Sequence, residues 1–115
     1  MKAICYHNPR CGKSRQTLQL LKDHGVAVEV IEYLKTPPTA EVLDQLLQML
    51  AMQPRELMRK KEAVYKDLDL GHSELNKQAL IEAMIANPIL IERPIVVVGD
   101  KAAIGRPPEA ILSLL

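Results

Sequence analysis

With 115 residues, 48% of them hydrophobic, the chain has material for one compact domain, but its core must be aliphatic, since there is no Phe, no Trp and only three Tyr. A formal net charge of +1 and scattered tyrosines exclude the basic footprint and stacking platform of a nucleic-acid binder. No wholly apolar run exceeds four residues, as in Ile95-Val96-Val97-Val98, which excludes a membrane span, and the N-terminus turns polar at His7-Asn8, too early for a signal peptide, so a cytoplasmic setting is expected.

Ala3-Ile4-Cys5-Tyr6 reads as a first strand, and Asn8-Pro9-Arg10 as a loop. A helix is predicted from Gly12, with Leu18 and Leu21 on one face and Gly25 at its C-terminal cap. Val26 to Tyr33 is rich in β-branched residues and reads as strand two. Thr36-Pro37-Pro38 breaks the chain. Thr39 can cap a helix whose Leu43, Leu46, Leu47 and Leu50 fall at i, i+3, i+4 and i+7. Pro54 suits the first turn of a short helix, and the charged stretch 60–70 is expected to be helical in part. Asn76 can cap another helix, with Leu80, Ile81, Met84 and Ile85 on one face and Asn87-Pro88 as its stop.

Ile95 to Val98 is apolar throughout, as a buried strand should be; Gly99-Asp100 is a hairpin signal and Lys101 to Ile104 its return. Pro107-Pro108 opens a last predicted helix holding Ile111, Leu112 and Leu115. A β-α-β start and a β-β-α finish describe an α/β, thioredoxin-like fold: a mixed four-stranded sheet in a single domain, 1–115, with a helical insertion at about 39–88.

The chemistry concentrates in His7-Asn8-Pro9-Arg10-Cys11-Gly12-Lys13-Ser14-Arg15, between strand one and helix one. Free N–H groups at a helix start favour an anion, and Arg10, Lys13 and Arg15 add charge close to Cys11. The same field stabilises a thiolate. From a free-cysteine pKa of about 8.5, a fall of about two units, roughly 2.7 kcal/mol, makes the thiolate dominant at neutral pH. Gly12 leaves the backbone open to a ligand, and the Ser14 hydroxyl can reach the sulfur or a bound oxyanion. The same residues also fit a buried Cys in a solvated basic turn. Cys5 alternates within the first strand and reads as core. His24 and His72 have no metal-ligand partner at helical spacing, and no metal site is expected.

His-Asn-Pro-x-Cys-Gly-x-Ser-Arg resembles the signature of the glutaredoxin-coupled arsenate reductases, the ArsC family. Leu57-Met58-Arg59-Lys60, Pro88 to Val97 and Gly105-Arg106-Pro107 resemble its other blocks, in order, so that the likeness, to a short-chain branch, covers about residues 2–112. The resemblance implies that Cys11 is the nucleophile, that Arg59, Arg93 and Arg106 bind the oxyanion, that Pro94 is a cis-proline beside the site, and that His7, Ser14, Gly12 and Arg15 support the thiolate. Taken singly, each arginine also fits a solvated surface. Several charge-assisted donors suit a dianion, and the guanidinium fork supplies them in pairs.

The implied reaction reduces arsenate to arsenite through a Cys11–arsenic adduct, with glutathione as co-substrate, glutaredoxin as partner and no bound cofactor. An Spx-type regulatory module that binds RNA polymerase shares the fold, but its redox-sensing members carry Cys-x-x-Cys where this chain has Ser14. A phosphatase-like reductase needs Cys-x5-Arg, and Thr17 occupies that arginine's place.

Overall fold

The computed structural model describes residues 1–115. Its elements are β1 (Lys2–His7), α1 (Gly12–Asp23), β2 (Ala27–Glu32), α2 (Ala40–Leu50), α3 (Pro54–Leu57), α4 (Ala63–Asp67), α5 (Lys77–Ala86), a 3₁₀ turn (Pro88–Leu90), β3 (Ile95–Val98), β4 (Lys101–Ile104) and a 3₁₀ helix (Pro108–Leu114). The chain divides into two compact units, Met1–Thr36 with Arg93–Leu115, and Pro37–Glu92.

The first unit is a four-stranded mixed sheet of order β2-β1-β3-β4, the thioredoxin-like arrangement. β1 runs parallel to β2, and the other pairings are antiparallel. Crossing from β1 to a parallel β2 requires a connecting element, and α1 is that element. It ends in a Schellman motif, with Val26 N–H on Leu21 O at 3.1 Å and Gly25 N–H on Lys22 O at 3.0 Å. This closure seats Leu21 and Val26 in one core cluster with Ala3, Cys5, Val96 and Ile111. Each fully buried aliphatic side chain there contributes about 2 kcal/mol of transfer free energy.

The last helix is 3₁₀ rather than the α-helix expected from Ile111, Leu112 and Leu115. With three residues per turn, positions three apart eclipse. Pro108 and Ile111 are accordingly buried, Leu114 packs against the cluster, and Leu115 is exposed.

In the second unit, Thr39 and Asn76 both cap as expected, accepting from Val42 N–H at 3.2 Å and Ala79 N–H at 2.8 Å. Their helices bury Leu43, Leu46 and Leu47, and Leu80, Ile81 and Met84. The C-terminus of α2 lacked a sequence signal because Ala51 takes the left-handed position, φ 54°, where glycine is usual. Arg55 holds the following loop by donating to Leu70 O at 2.9 Å and to His72 O. No helix is long and apolar enough to cross a membrane.

Candidate active site

β1 delivers the chain to a loop held by its own polar groups. Asn8 O accepts from Cys11 N–H at 3.0 Å, and Asn8 Oδ1 accepts from Arg10 N–H at 3.0 Å. Ser14 Oγ accepts from Asn8 N–H at 3.0 Å and lies 2.6 Å from His7 Nδ1. His7, Asn8 and Ser14 are all buried, so each of these bonds offsets a desolvation cost. Burial, followed by the charges of Arg15 and Lys22, lowers the His7 pKa against the pull of Glu32, which favours a neutral ring beside Ser14.

Cys11 is the N-cap of α1. Its sulfur stands where a serine or aspartate oxygen usually meets the second and third N–H groups of a helix. Partial burial works against the anion. The Ser14 N–H, the Arg93 guanidinium and the Lys13 N–H outweigh it, and the pKa falls below that of an ordinary thiol. Arg106 Nη1 lies 3.8 Å from Cys11 Sγ. The structure therefore brings Arg93 and Arg106 to the sulfur.

The three neighbouring cations play a different part from the one expected of them. Arg15 donates to Pro9 O at 2.9 Å and braces the loop, while Arg10 and Lys13 are exposed. The Ser14 hydroxyl is engaged with His7 and Asn8, so it is the backbone N–H of this residue that serves the sulfur. A Cβ at Gly12 would meet only Arg15 Nη2, at 3.8 Å, so the fold itself does not demand glycine there.

The Arg93–Pro94 and Arg106–Pro107 peptides are both cis. Pro94 is buried, and its carbonyl accepts from Gly105 N–H at 3.0 Å. Arg59 belongs to the helical unit. Its N–H donates to Leu90 O at 2.7 Å, and its guanidinium pairs with Glu62 at 2.8 Å.

Two features had no sequence signal. Thr17 is fully buried although polar, and it shares the inner face of α1 with Ser14 and Leu21, whereas Leu18 is only half-buried. A cleft of about 280 Å³ lies beside the loop, lined by Asn8, Pro9, Arg10, Glu32, Leu34 and Lys35. His24 Nδ1 lies 2.9 Å from Leu20 O, and His72 Nδ1 accepts from Glu74 N–H, both local contacts.

The sequence profile of the ArsC family matches residues 6–114. The uncharacterized protein YfgD of Escherichia coli K12 is 58% identical over 111 residues, spanning 96% of this chain and 93% of its own length. An arsenate reductase of Neisseria meningitidis serogroup B is 45% identical over 111 residues, covering 96% of this chain and 95% of its own. Among solved structures, an arsenate reductase from Vibrio cholerae is 51% identical and covers 100% of this chain and 98% of its own, with a TM-score of 0.98.

Proposed function

The chain belongs to the ArsC family, and on that premise we propose that it reduces arsenate to arsenite with Cys11 as the nucleophile. One observation carries the reading: a thiol at a helix N-cap, its pKa lowered, with Arg106 Nη1 at 3.8 Å and Arg93 stabilising its anion. A thiolate held among fixed cations attracts a dianionic oxyanion and can then attack its central atom.

In the first step the Cys11 thiolate attacks arsenic(V). A sulfur–arsenic bond forms, an arsenic–oxygen bond breaks, and the oxygen leaves as water after protonation. Arg93 and Arg106 hold the remaining oxygens. In the second step glutathione attacks the Cys11 sulfur. The sulfur–arsenic bond breaks with its electron pair moving to arsenic, which leaves as arsenite, and the two thiols end as a mixed disulfide. Glutaredoxin then attacks the glutathione sulfur and returns Cys11 as thiolate. The thiols come from the cytoplasmic pool, and no bound cofactor or metal takes part.

The test is a coupled assay of the purified protein with arsenate, glutathione and glutaredoxin, omitting one at a time. Arsenite should form continuously only when all are present, and without glutaredoxin it should stop after about one turnover, with Cys11 left as the mixed disulfide. Arsenite formation that persists without glutathione would overturn the proposed second step, and its absence in the complete mixture would overturn the enzyme reading.

A further inference from the structure

The space between α1 and the two arginine corners is closed at one point. Gly105 N–H donates to Pro94 O at 3.0 Å, joining the residue before Arg106 to the residue after Arg93. Arg106 N–H donates to Ile104 O at 2.9 Å, so the chain turns tightly as it presents that arginine. From the helix side, Thr17 Oγ1 lies 2.8 Å from Lys13 O and 3.4 Å from Gly105 O. A hydroxyl has one hydrogen, which these two carbonyls share. A Cβ at Gly105 would overlap Thr17 Oγ1 and lie 2.9 Å from Pro94 Cγ and 3.0 Å from Thr17 Cγ2. Three chain segments thus meet at a bare α-carbon: the helix capped by Cys11, the corner of Arg93 and the corner of Arg106.

We propose that Thr17 and Gly105 are positioning residues that set where the Arg106 guanidinium stands relative to Cys11 Sγ. Thr17 has no exposed surface, and its hydroxyl faces the Lys13 and Gly105 carbonyls. It acts through the Gly105 carbonyl, one residue before an arginine whose 3.8 Å contact with the sulfur depends on the height of that turn above the helix. Simple core filling accounts for the methyl of Thr17, and a bond to Lys13 O accounts for its hydroxyl as in any helix. Neither requires a residue without a side chain pressed against both its branches. The inference rests on reading Cys11 and Arg106 as nucleophile and anion ligand.

The decisive variant is Thr17→Val, which keeps the shape and removes the hydroxyl; Gly105→Ala is a second, harsher probe that can fail by overpacking. Cys11 alkylation by iodoacetamide is followed against pH at single-peptide resolution, with and without arsenate as a protecting anion, alongside KM and kcat. In Thr17→Val the alkylation inflection should move up, and both arsenate protection and KM should worsen about fivefold, the worth of one net hydrogen bond, with kcat changing less. Thr17→Ser, which keeps the hydroxyl, should recover most of the loss, and Cys5 should stay protected throughout. A Thr17→Val profile that superimposes on the parent, with equal protection, would overturn the proposal. If the parent protein turns over no arsenate, the enzyme reading fails, while the alkylation profile still decides whether Thr17 positions Arg106.

Discussion

Cys5 and Cys11 lie on the same short stretch of chain and have opposite chemistry. Cys5 sits in the central strand β1, paired with Val30 on one side and Val96 on the other, with no exposed surface. Burial alone pushes its thiol up to about 12, because no positive group compensates for removing an anion from water. Cys11 is also partly desolvated, yet its pKa falls, since the N–H groups of Ser14 and Lys13 and the Arg93 guanidinium favour the anion. Reactivity here follows the dipoles and cations that face a thiol, and proximity in sequence decides little. Each side of the contrast can be tested by removing one of its supports.

The largest effect should come from Cys11→Ser, which should lower arsenate turnover at least about a thousandfold by removing the nucleophile. Cys5→Ala should retain most of the activity at a modest cost in stability. A Cys11→Ser variant that still turned over would end the assignment. In the native protein, iodoacetamide at pH 7.5 should modify Cys5 at least about a hundredfold more slowly than Cys11, since only the thiolate reacts. Peptide mapping over time reads both sites in one experiment. The Cys11 rate should rise with pH and level off, with its inflection below the free-thiol value of about 8.5, because deprotonation creates the reactive form. Comparable rates at the two sites would erase the contrast.

Arg93→Ala and Arg106→Ala should each lower kcat/KM for arsenate about tenfold, or roughly 1.4 kcal/mol. Lysine replacements should rescue in part, keeping charge and losing the planar fork. Arg93→Ala should also raise the Cys11 inflection. Steady-state kinetics at constant ionic strength would test this, and two parent-like alanine variants would remove the oxyanion assignment. The smallest effect should be that of Ser14→Ala. It keeps the N–H that serves the sulfur and deletes the hydroxyl between His7 and Asn8. Stability should fall by about 1–2 kcal/mol in chemical denaturation, while the alkylation inflection moves little.

The elements that were legible beforehand owe their form to near neighbours. Thr39 and Asn76 cap helices through bonds three residues long, and the run Ile95–Val98 is buried as its composition implies. The placement of Cys11 at the start of α1 was equally local, because the break at Asn8-Pro9 and the helical pattern after Gly12 lie on either side of it. The polar inner face of α1 was not legible. Thr17 looks like any surface threonine until Gly105 is brought against it.

By itself, then, the sequence determined the strands, the helix starts and the thiol at one of them, since these depend on interactions within about a turn of chain. Which cations reach that thiol was decided only by tertiary structure. Arg10 and Arg15 are close to Cys11 in sequence, but one is exposed and the other is drawn to Pro9 O. Arg93 and Arg106 are far from it in sequence, and the antiparallel pairing of β1 with β3 and of β3 with β4 carries both to the sulfur. The same holds for the last helix, whose apolar residues fit either an α or a 3₁₀ path until Pro108 and Ile111 find the sheet. Side-chain direction in a loop is a property of the packed chain, and no local pattern encodes it.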